Sequence, residues 1–382
     1  MDITVVGGGL AGLTAAIAGA ENGANVTVLE SHRTLGGRAR STEPPYVAND
    51  GPHALYTDGA PYRWLAERDL VPPLVRPSLG SLRSSRFRYR ERLTGRPPRA
   101  LLRALARRGL SAPVERDFTS WGTERLGEES TRLVASMMGV ALFEADPGRL
   151  SAAFVWERFR RLTRPQVPAV RYPVGGWVRL VERMADHARG MGVRIETGHR
   201  VDSLPEGPVV IATSLAAARS LLDDPSLTWE SGHSLMTDLG LRSADDPFLV
   251  SDLDEGGFLE RYSAHDRFLA PEGEELVQAQ IPVRAGESRA EATERLERLL
   301  DTALGDWRER LTWRRDQMAR GRSGALDLPG SSWRDRPAID RGGDVYLAGD
   351  EVAAPGLLGE VSFTSAVRAA NLATSRALAP LG

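Results

Sequence analysis

The chain has 382 residues, and its 49 basic and 51 acidic residues give a formal net charge of −2. No overall charge therefore draws it to nucleic acid, and its length suits two domains rather than one small core. Cysteine is absent and every basic residue is arginine, which excludes disulfides, thiolate metal sites, dithiol redox centres and lysine Schiff bases.

The first thirty residues predict a strand, a glycine turn, a helix and a second strand. The apolar run Ile3–Val6 leads into a turn with glycine at positions 7, 9 and 12, and a second apolar run covers Val26–Leu29. This spacing is typical of dinucleotide binding. Gly7 allows the tight turn, Gly9 lets the backbone approach a pyrophosphate, and Gly12 lets the helix lie close to the strand.

The helix that begins near Leu10 and Ala11 would face phosphates with its partial positive charge. Glu30 ends the second strand, where an acid can accept hydrogen bonds from ribose hydroxyls and disfavours a 2′-phosphate. The uncharged segment from residue 3 to 20 lacks a preceding basic region and is rich in glycine. We therefore expect a nucleotide-binding segment in a cytoplasmic protein, not a signal or membrane helix.

Glu30 is followed after five residues by Gly36, Gly37 and Arg38. This E-x5-G-G-R pattern resembles the extended N-terminal motif of the FAD-dependent amine oxidase and phytoene desaturase superfamily. The resemblance implies FAD, held non-covalently, with the glycine pair and the arginine near its diphosphate. It also implies an α/β fold: a Rossmann-like FAD-binding domain of glutathione reductase-type topology, beside an α+β substrate domain with a mixed or antiparallel sheet.

The turn-rich sequence Asp50–His53 resembles the D-G-P-H segment that passes close to the isoalloxazine in desaturase-like members of the superfamily. The resemblance implies that Gly51 and Pro52 contact the cofactor and that His53 is the catalytic candidate. A plain surface loop explains the same composition and stays open as the alternative.

The stretch from residue 76 to 108 contains eleven arginines and one acid, Glu91. Three of the arginines are spaced by four and would share a helix face, namely Arg99, Arg103 and Arg107, while leucines 101, 102 and 105 fall on another side. Such a segment indicates either peripheral contact with an anionic membrane or a solvated helix face.

The middle of the chain predicts a helix, opened by Tyr172–Gly176, that leads into strands at Val193–Glu196 and Val209–Thr213. By resemblance this block returns to the FAD domain, and Val201 supplies backbone contacts to the adenine. Further strands are predicted at 248–251, 258–262 and 275–281, and Ser288 with Glu291 forms a capping box before a helix.

The C-terminal run ends a strand at Gly349 and Asp350, and a helix containing Ser362 and Phe363 follows after a loop. It resembles the superfamily's C-terminal FAD signature, which implies that Asp350 lies near the ribityl chain and diphosphate and that the helix points at the flavin O2 edge. We assign residues 1–58, 168–230 and 335–382 to the FAD-binding domain and residues 59–167 and 231–334 to the substrate domain.

These motifs predict an FAD-dependent oxidoreductase that transfers a hydride from a small-molecule C–H bond to flavin N5, with no metal site. Leu357 and Leu358 stand where amine oxidases commonly place an aromatic residue, which favours a hydrophobic, isoprenoid-like substrate over an amine. A flavin amine oxidase, a sugar-nucleotide mutase that uses reduced FAD, and a binding protein resembling Rab GDP-dissociation inhibitors stay open as alternatives.

Overall fold

The computed structural model describes residues 1–51, 54–164, 170–357 and 359–377, apart from the side chains of residues 322, 376 and 377. Its strands are β1 (Asp2–Val6), β2 (Asn25–Glu30), β3 (Leu55–Tyr56), β4 (Leu74–Val75), β5 (Arg86–Tyr89), β6 (Arg92–Thr94), β7 (Val170–Pro173), β8 (Arg194–Thr197), β9 (Val209–Ile211), β10 (Ser231–Arg242), β11 (Leu249–Asp252), β12 (Phe258–Arg261), β13 (Glu274–Pro282), β14 (Leu311–Ala325) and β15 (Val345–Leu347). Its α-helices are α1 (Leu10–Glu21), α2 (Ala60–Ala66), α3 (Leu79–Ser84), α4 (Arg99–Ala106), α5 (Phe118–Leu126), α6 (Glu128–Leu142), α7 (Ala152–Leu162), α8 (Trp177–Gly190), α9 (Leu215–Leu222), α10 (Arg289–Leu304), α11 (Trp307–Arg310) and α12 (Gly359–Ala377).

A parallel sheet with the strand order β15-β9-β1-β2-β8 forms the first layer of the fold. Helices α8 and α12 both pack against α1, which is rich in alanine and glycine. Small side chains permit this close approach, and the Asn22 amide beyond α1 donates to Asn371 Oδ1 of α12 at 2.9 Å. Because β1 lies at the centre, the first glycine turn emerges in the middle of the sheet's carboxyl edge.

The second layer is a mixed sheet with the strand order β14-β10-β13-β12-β11-β5-β6. Its pairs are antiparallel except for β11 with β5. One face packs on α10, whose predicted capping box is present because the Ser288 hydroxyl accepts from the Glu291 N–H and Glu291 accepts from the Ser288 N–H. A third group, α4 to α7, encloses its own core around Trp121, Trp156 and Phe159.

The predicted α/β class and the mixed sheet are confirmed, and the predicted strands lie within two residues of the observed ones. Two local features add detail to the predictions. Helix α12 contains Ser362 and Phe363 as predicted and begins at Gly359, and the Glu360 carboxylate accepts from the Leu357 N–H at its start. The arginine-rich stretch from residue 76 to 108 is not one amphipathic surface, since it contains α3, β5, β6 and α4, and Arg88 is buried against Asp252. The division into domains stays a prediction.

None of the described helices combines the length and the apolar run that crossing a bilayer requires.

Candidate cofactor and substrate site

The turn between β1 and α1 can be built only with glycine at its two ends. Gly7 has φ +108°. A Cβ there would lie 2.7 Å from the carbonyl oxygen of Ala212, the residue that follows the neighbouring strand β9. A Cβ on Gly12 would lie 1.8 Å from the Gly7 oxygen. The roles predicted for these two residues, a tight turn and close helix-to-strand packing, therefore follow from the backbone itself.

Gly9, Gly36 and Gly37 form a shallow cradle at the start of α1. Gly9 pairs with Gly36 in an isolated parallel bridge, and the nearest atoms to a Cβ on Gly9 would be Gly36 O at 3.8 Å and Gly37 Cα at 3.9 Å. No described side chain caps α1, so the N–H groups of its first residues, Leu10 and Ala11 among them, are available to an anion. This cradle fits the diphosphate of a dinucleotide.

Glu30 ends β2 beside this cradle and is 6% exposed. Its Oε2 accepts from the Gly8 N–H at 2.7 Å, and its Oε1 accepts from the His32 N–H at 2.8 Å. Burial raises the pKa of Glu30, but these two backbone hydrogen bonds, together with the hydrogen bond and charge of the His32 ring, outweigh it and the net pKa is lowered. The carboxylate is thus held ionised. Oε1 is also met by the His32 ring Nδ1 at 2.7 Å and the Ser31 hydroxyl at 3.3 Å, so Oε2, with the Gly8 N–H as its partner, is the oxygen left to accept a ribose hydroxyl.

Arg38 reaches across the same edge to Asp350 of the C-terminal motif. Its Nη1 and Nη2 donate to the two carboxylate oxygens at 2.5 and 2.7 Å. The Asp350 side chain is 10% exposed, whereas that of Arg38 is 47% exposed. Burial opposes the charge of Arg38, but attraction to Asp350 raises its pKa above the ordinary value. Glu351 lies next to this pair, and burial together with repulsion from Asp350 raises its pKa to about 7.

The other C-terminal residues are fixed by Ser365. Its hydroxyl accepts from the Gly349 N–H at 3.0 Å and lies 3.1 Å from the carbonyl oxygen of Ser362. Phe363 is buried and meets Trp64 edge to face at 6.0 Å between ring centroids. The Phe363 side chain therefore packs into the core, and only its backbone is left for a cofactor.

Two further predicted contacts lie near the same edge. Val201 follows β8. Two residues before it, the His199 N–H donates to the Glu30 carbonyl oxygen at 2.8 Å, which holds this segment beside the end of β2. A Cβ on Gly51 would have no described atom within 4 Å. Gly51 follows Asp50, whose Oδ1 accepts from Arg315 Nη1 at 2.9 Å. Pro52 and His53 lie outside the described residues. The role of each predicted residue in cofactor binding stays a prediction.

The face of the mixed sheet that contacts residues 48–50 carries a polar row across four strands. Arg315, Asp238, Gln278 and Glu260 stand side by side on β14, β10, β13 and β12. Arg315 Nη2 donates to Asp238 Oδ2 at 2.7 Å, and Gln278 Nε2 donates to Asp238 Oδ1 at 2.6 Å. This row ties the sheet to the Asp50 turn, because Arg315 also donates to the Asn49 carbonyl oxygen at 2.8 Å.

Glu260 ends the row in a cluster of tyrosines. Tyr172 donates its hydroxyl to Glu260 Oε1, and the Tyr172 and Tyr262 rings meet edge to face at 5.8 Å. Burial raises the pKa of Glu260 to about 7 against the lowering effect of the tyrosine hydroxyls. Burial likewise raises the pKa of nearby Tyr56 to about 12. Perturbed groups of this kind concentrate at functional sites.

The next row on the same face contains Gln317, Met236, Gln280 and Phe258. Gln280 is 1% exposed, and within the described residues neither its amide nitrogen nor its amide oxygen has a hydrogen-bond partner. Gln278 Oε1 is unpaired in the same way. Buried amides are normally paired, so these unpaired atoms are exceptions on this face of the sheet.

Residues 5–67 match the family described as NAD(P)-binding Rossmann-like domain. No curated protein matches the chain by sequence. Among solved structures, the chain is similar to cyclohexylamine oxidase from Brevibacterium oxydans, with 17% identity, a TM-score of 0.73 and coverage of 98% of this chain and 99% of that chain. It is also similar to an oxidoreductase from Methanosarcina mazei, with 16% identity, a TM-score of 0.72 and coverage of 96% of this chain and 99% of that chain. For reduced UDP-galactopyranose mutase the identity is 14%, the TM-score is 0.71, and the match covers 99% of this chain and 96% of that chain.

These comparisons confirm the predicted resemblance to the amine oxidase and desaturase superfamily at the level of the fold, over nearly the whole chain. The comparisons do not distinguish among the reactions that proteins of this fold catalyse, because the sequence identity is similarly low to an amine oxidase and to a mutase.

Several residues of the site were missed by the sequence analysis. Glu260, Gln280 and Tyr172 are separated by long stretches of chain, and strand register alone brings the first two to one face. Glu351 could have been noted, because it directly follows Asp350. Within the described residues, no group of three histidine or acidic side chains could hold a metal ion.

Proposed function

We propose that the protein is an FAD-dependent oxidoreductase that accepts a hydride from a C–H bond of a small molecule. One observation carries this proposal: the glycine cradle, the Glu30 carboxylate and the Arg38–Asp350 pair meet at one edge of the parallel sheet. The glycine cradle suits a diphosphate, and the Glu30 carboxylate suits ribose hydroxyls. The Arg38–Asp350 pair links the N-terminal and C-terminal motifs that the superfamily uses for FAD.

When bound, FAD would supply the hydride acceptor at flavin N5. The protein's own task is to hold the cofactor, orient the substrate C–H bond and exclude water. The amino end of α12 supplies a positive dipole beside Asp350, which favours negative charge on a group placed there. The face of the mixed sheet that bears Met236, Gln280 and Phe258 supplies two apolar side chains on either side of the unpaired Gln280 amide, next to the polar row.

We infer a hydrophobic substrate as the first candidate. Met236 and Phe258 flank Gln280 on that wall, and Leu357 precedes α12. Apolar side chains of this kind hold a hydrocarbon skeleton, while the Gln280 amide between them can orient a polar group on it. Desaturation of an isoprenoid-like molecule is the reaction class that this lining supports.

Amine oxidation is the second candidate, and Glu260 favours it. A carboxylate at the tyrosine pair suits an ammonium group, because its charge attracts a cation and tyrosine rings do so as well. The likeness to cyclohexylamine oxidase agrees with this candidate.

Anaerobic titration of the purified, FAD-loaded protein tests the proposal. We expect bleaching of the flavin absorbance by members of a polyene panel, and amines in a parallel panel serve as the competing class. Bleaching by amines alone would move the assignment to amine oxidation. Turnover of a UDP-sugar only after dithionite reduction, with no net oxidation, would indicate a mutase. A protein that takes up no FAD would contradict the proposal.

A further inference from the structure

Arg161, near the end of α7, connects three separate segments of the chain. Its Nη1 and Nη2 donate to the two carboxylate oxygens of Glu360 at 2.7 and 2.6 Å. Nη2 also donates to Asp58 Oδ1 at 2.8 Å. Arg161 therefore links the helical group α4 to α7 with the first turn of α12 and with the loop that precedes α2.

The Arg161–Glu360 ion pair is largely shielded from solvent. The side chains of Arg161 and Glu360 are 20% and 12% exposed. Burial opposes the charge of Arg161, but its hydrogen bonds and its attraction to Glu360 and Asp58 raise its pKa above the ordinary value. Gly59 leaves room for the pair, because a Cβ there would collide with Glu360 Oε1. The bidentate geometry thus holds both groups ionised.

Glu360 in turn fixes the chain that leads into α12. Its Oε2 accepts from the Leu357 N–H at 3.0 Å, and its own N–H donates to the Leu357 carbonyl oxygen at 2.9 Å. The same helix adjoins the cofactor edge, because Ser365 Oγ accepts from the Gly349 N–H at 3.0 Å. Arg161 consequently acts on the segment that lies next to the proposed cofactor.

An unpaired Glu360 would work against a flavin at the amino end of α12. The first N–H groups of an α-helix carry roughly half a unit of positive charge, whereas an ionised acid in the same turn carries a full negative charge. A flavin gains negative charge as it accepts electrons, and nearby charges set how readily it does so. The charge of Glu360 must therefore be compensated if the amino end of α12 is to favour flavin reduction.

Arg161 is the residue that compensates it. Asp58, the second acid that Arg161 binds, has another partner in Arg164, whose Nη1 lies 3.7 Å from Asp58 Oδ2. Glu360 pairs with Arg161 alone among the arginines that the structure describes. Loss of Arg161 would thus leave the negative charge at the start of α12 unbalanced.

We propose that Arg161 is a positioning residue that neutralises Glu360 and so keeps the amino end of α12 positive toward the flavin. The inference rests on the proposed FAD site. In this assignment Arg161 acts through Glu360, not through a contact of its own with the cofactor.

The midpoint potential of the bound flavin, measured by spectroelectrochemical titration, tests this inference. Arg161→Met removes the positive charge, Glu360→Gln removes the negative charge, and the double variant removes both. Arg160→Met is the matched control, because Arg160 lies on the same helix and is exposed. Thermal melting of the FAD-free variants separately measures how much the ion pair stabilises the fold.

We expect Arg161→Met to lower the potential and Glu360→Gln to raise it, with the double variant close to the wild type. The relative affinity for reduced and oxidised flavin should change roughly 2- to 30-fold, which is about 10 to 45 mV for a two-electron couple. Both single variants should melt at a lower temperature than the control, since each removes one partner of a shielded ion pair.

The opposite signs separate charge compensation from a purely structural role, in which loss of either partner would shift the potential in the same direction. Shifts of the same sign, or no difference from Arg160→Met in a protein that binds FAD, would overturn the inference. If Arg161→Met does not fold, Glu360→Gln alone decides, because an unchanged or lowered potential would contradict the inference. A wild-type protein that takes up no FAD would contradict the proposed function itself, and this inference with it.

Discussion

Arg38 and Asp350 form a bidentate ion pair with distances of 2.5 and 2.7 Å, although 312 positions separate them in the chain. The pair joins the segment that follows β2, which contains Gly36 and Gly37, to the end of β15, so it links these two strands of the parallel sheet at their carboxyl ends. A fork-shaped guanidinium matches a carboxylate in this geometry.

The first prediction concerns the ion pair itself. Asp350→Asn should lower the free energy of unfolding by about 1.5–3 kcal/mol, because a charge-assisted pair with a buried carboxylate is lost. Urea denaturation of the FAD-free protein measures it. Asp202→Asn is the control, since its ion pair with Arg200 is fully on the surface and should contribute about 0–1 kcal/mol. Equal effects of the two substitutions would show that the Arg38–Asp350 pair does not stabilise the fold.

Glu30 carries the second prediction. Glu30→Ala should weaken FAD binding roughly 10- to 150-fold, because ribose hydroxyls lose a charged acceptor. Glu196→Gln on the adjacent strand β8 serves as the control, since that acid is exposed at the neighbouring position. Quenching of flavin fluorescence gives the dissociation constant. An affinity equal to that of the control would separate Glu30 from the cofactor.

The cofactor edge could be predicted from sequence because its geometry is local. Gly7, Gly12 and Glu30 lie on consecutive elements, and the turn permits no larger residue at the two glycines. Spacing along the chain is then enough to place them in space. The same applies to the capping box of Ser288 and Glu291, whose partners are three residues apart.

The substrate side could not be predicted in this way. Gln280 and Glu260 become neighbours of Met236 and Gln278 only through the register of β10, β13 and β12. Register depends on contacts between distant segments, and a shift of one residue would turn every side chain to the other face. Arg88 illustrates the same limit. The arginine-rich composition around it did not indicate that Arg88 would be buried in an ion pair with the distant Asp252.

The third prediction uses the pKa of Glu260, which burial raises from 4.5 to about 7. Because the folded pKa exceeds the unfolded one, the protonated acid stabilises the fold below pH 4.5, and this contribution is lost as the pH rises through 7. The loss is at most about 3 kcal/mol. We expect Glu260→Gln to be less dependent on pH than the wild type in denaturant melts between pH 4.5 and 7.5.

Glu351 provides the comparison for this experiment, because its pKa is also raised to about 7. Glu351→Gln alone should remove a separate part of the decrease in unfolding free energy with pH. The double variant should depend on pH less than either single variant. A Glu260→Gln profile that parallels the wild type across this range would mean that Glu260 ionises as readily in the folded protein as in the unfolded chain.

His53 carries the fourth prediction, which rests on the sequence resemblance alone. His53→Ala should slow flavin reduction by substrate in stopped-flow measurements while leaving the FAD content unchanged. His187→Ala on α8 controls for the loss of an imidazole elsewhere. Rates that match the control from pH 5 to 9 would assign His53 to a plain surface loop.

The last prediction concerns the membrane. On α4, Arg99, Arg103 and Leu102 are exposed, and Leu79 of α3 is 75% exposed. An exposed arginine near an anionic surface contributes about 1 kcal/mol, so replacing three should lower partitioning up to roughly 100-fold. We expect the protein to co-sediment with anionic vesicles at low salt and to be released at high salt, because screening acts over roughly 10 Å at 0.1 M.

Glutamine substitutions at positions 99, 103 and 107 should abolish this binding. The same substitutions at the exposed arginines 179, 194 and 200 match the charge change and should leave it intact. Equal loss in both triple variants would indicate a response to net charge, not a binding face. Recovery of the wild type in the supernatant with every vesicle would show that the arginine-rich stretch is solvated, and it would move weight from a lipid-derived substrate toward a water-soluble one such as an amine, the class that Glu260 and its tyrosines also suit.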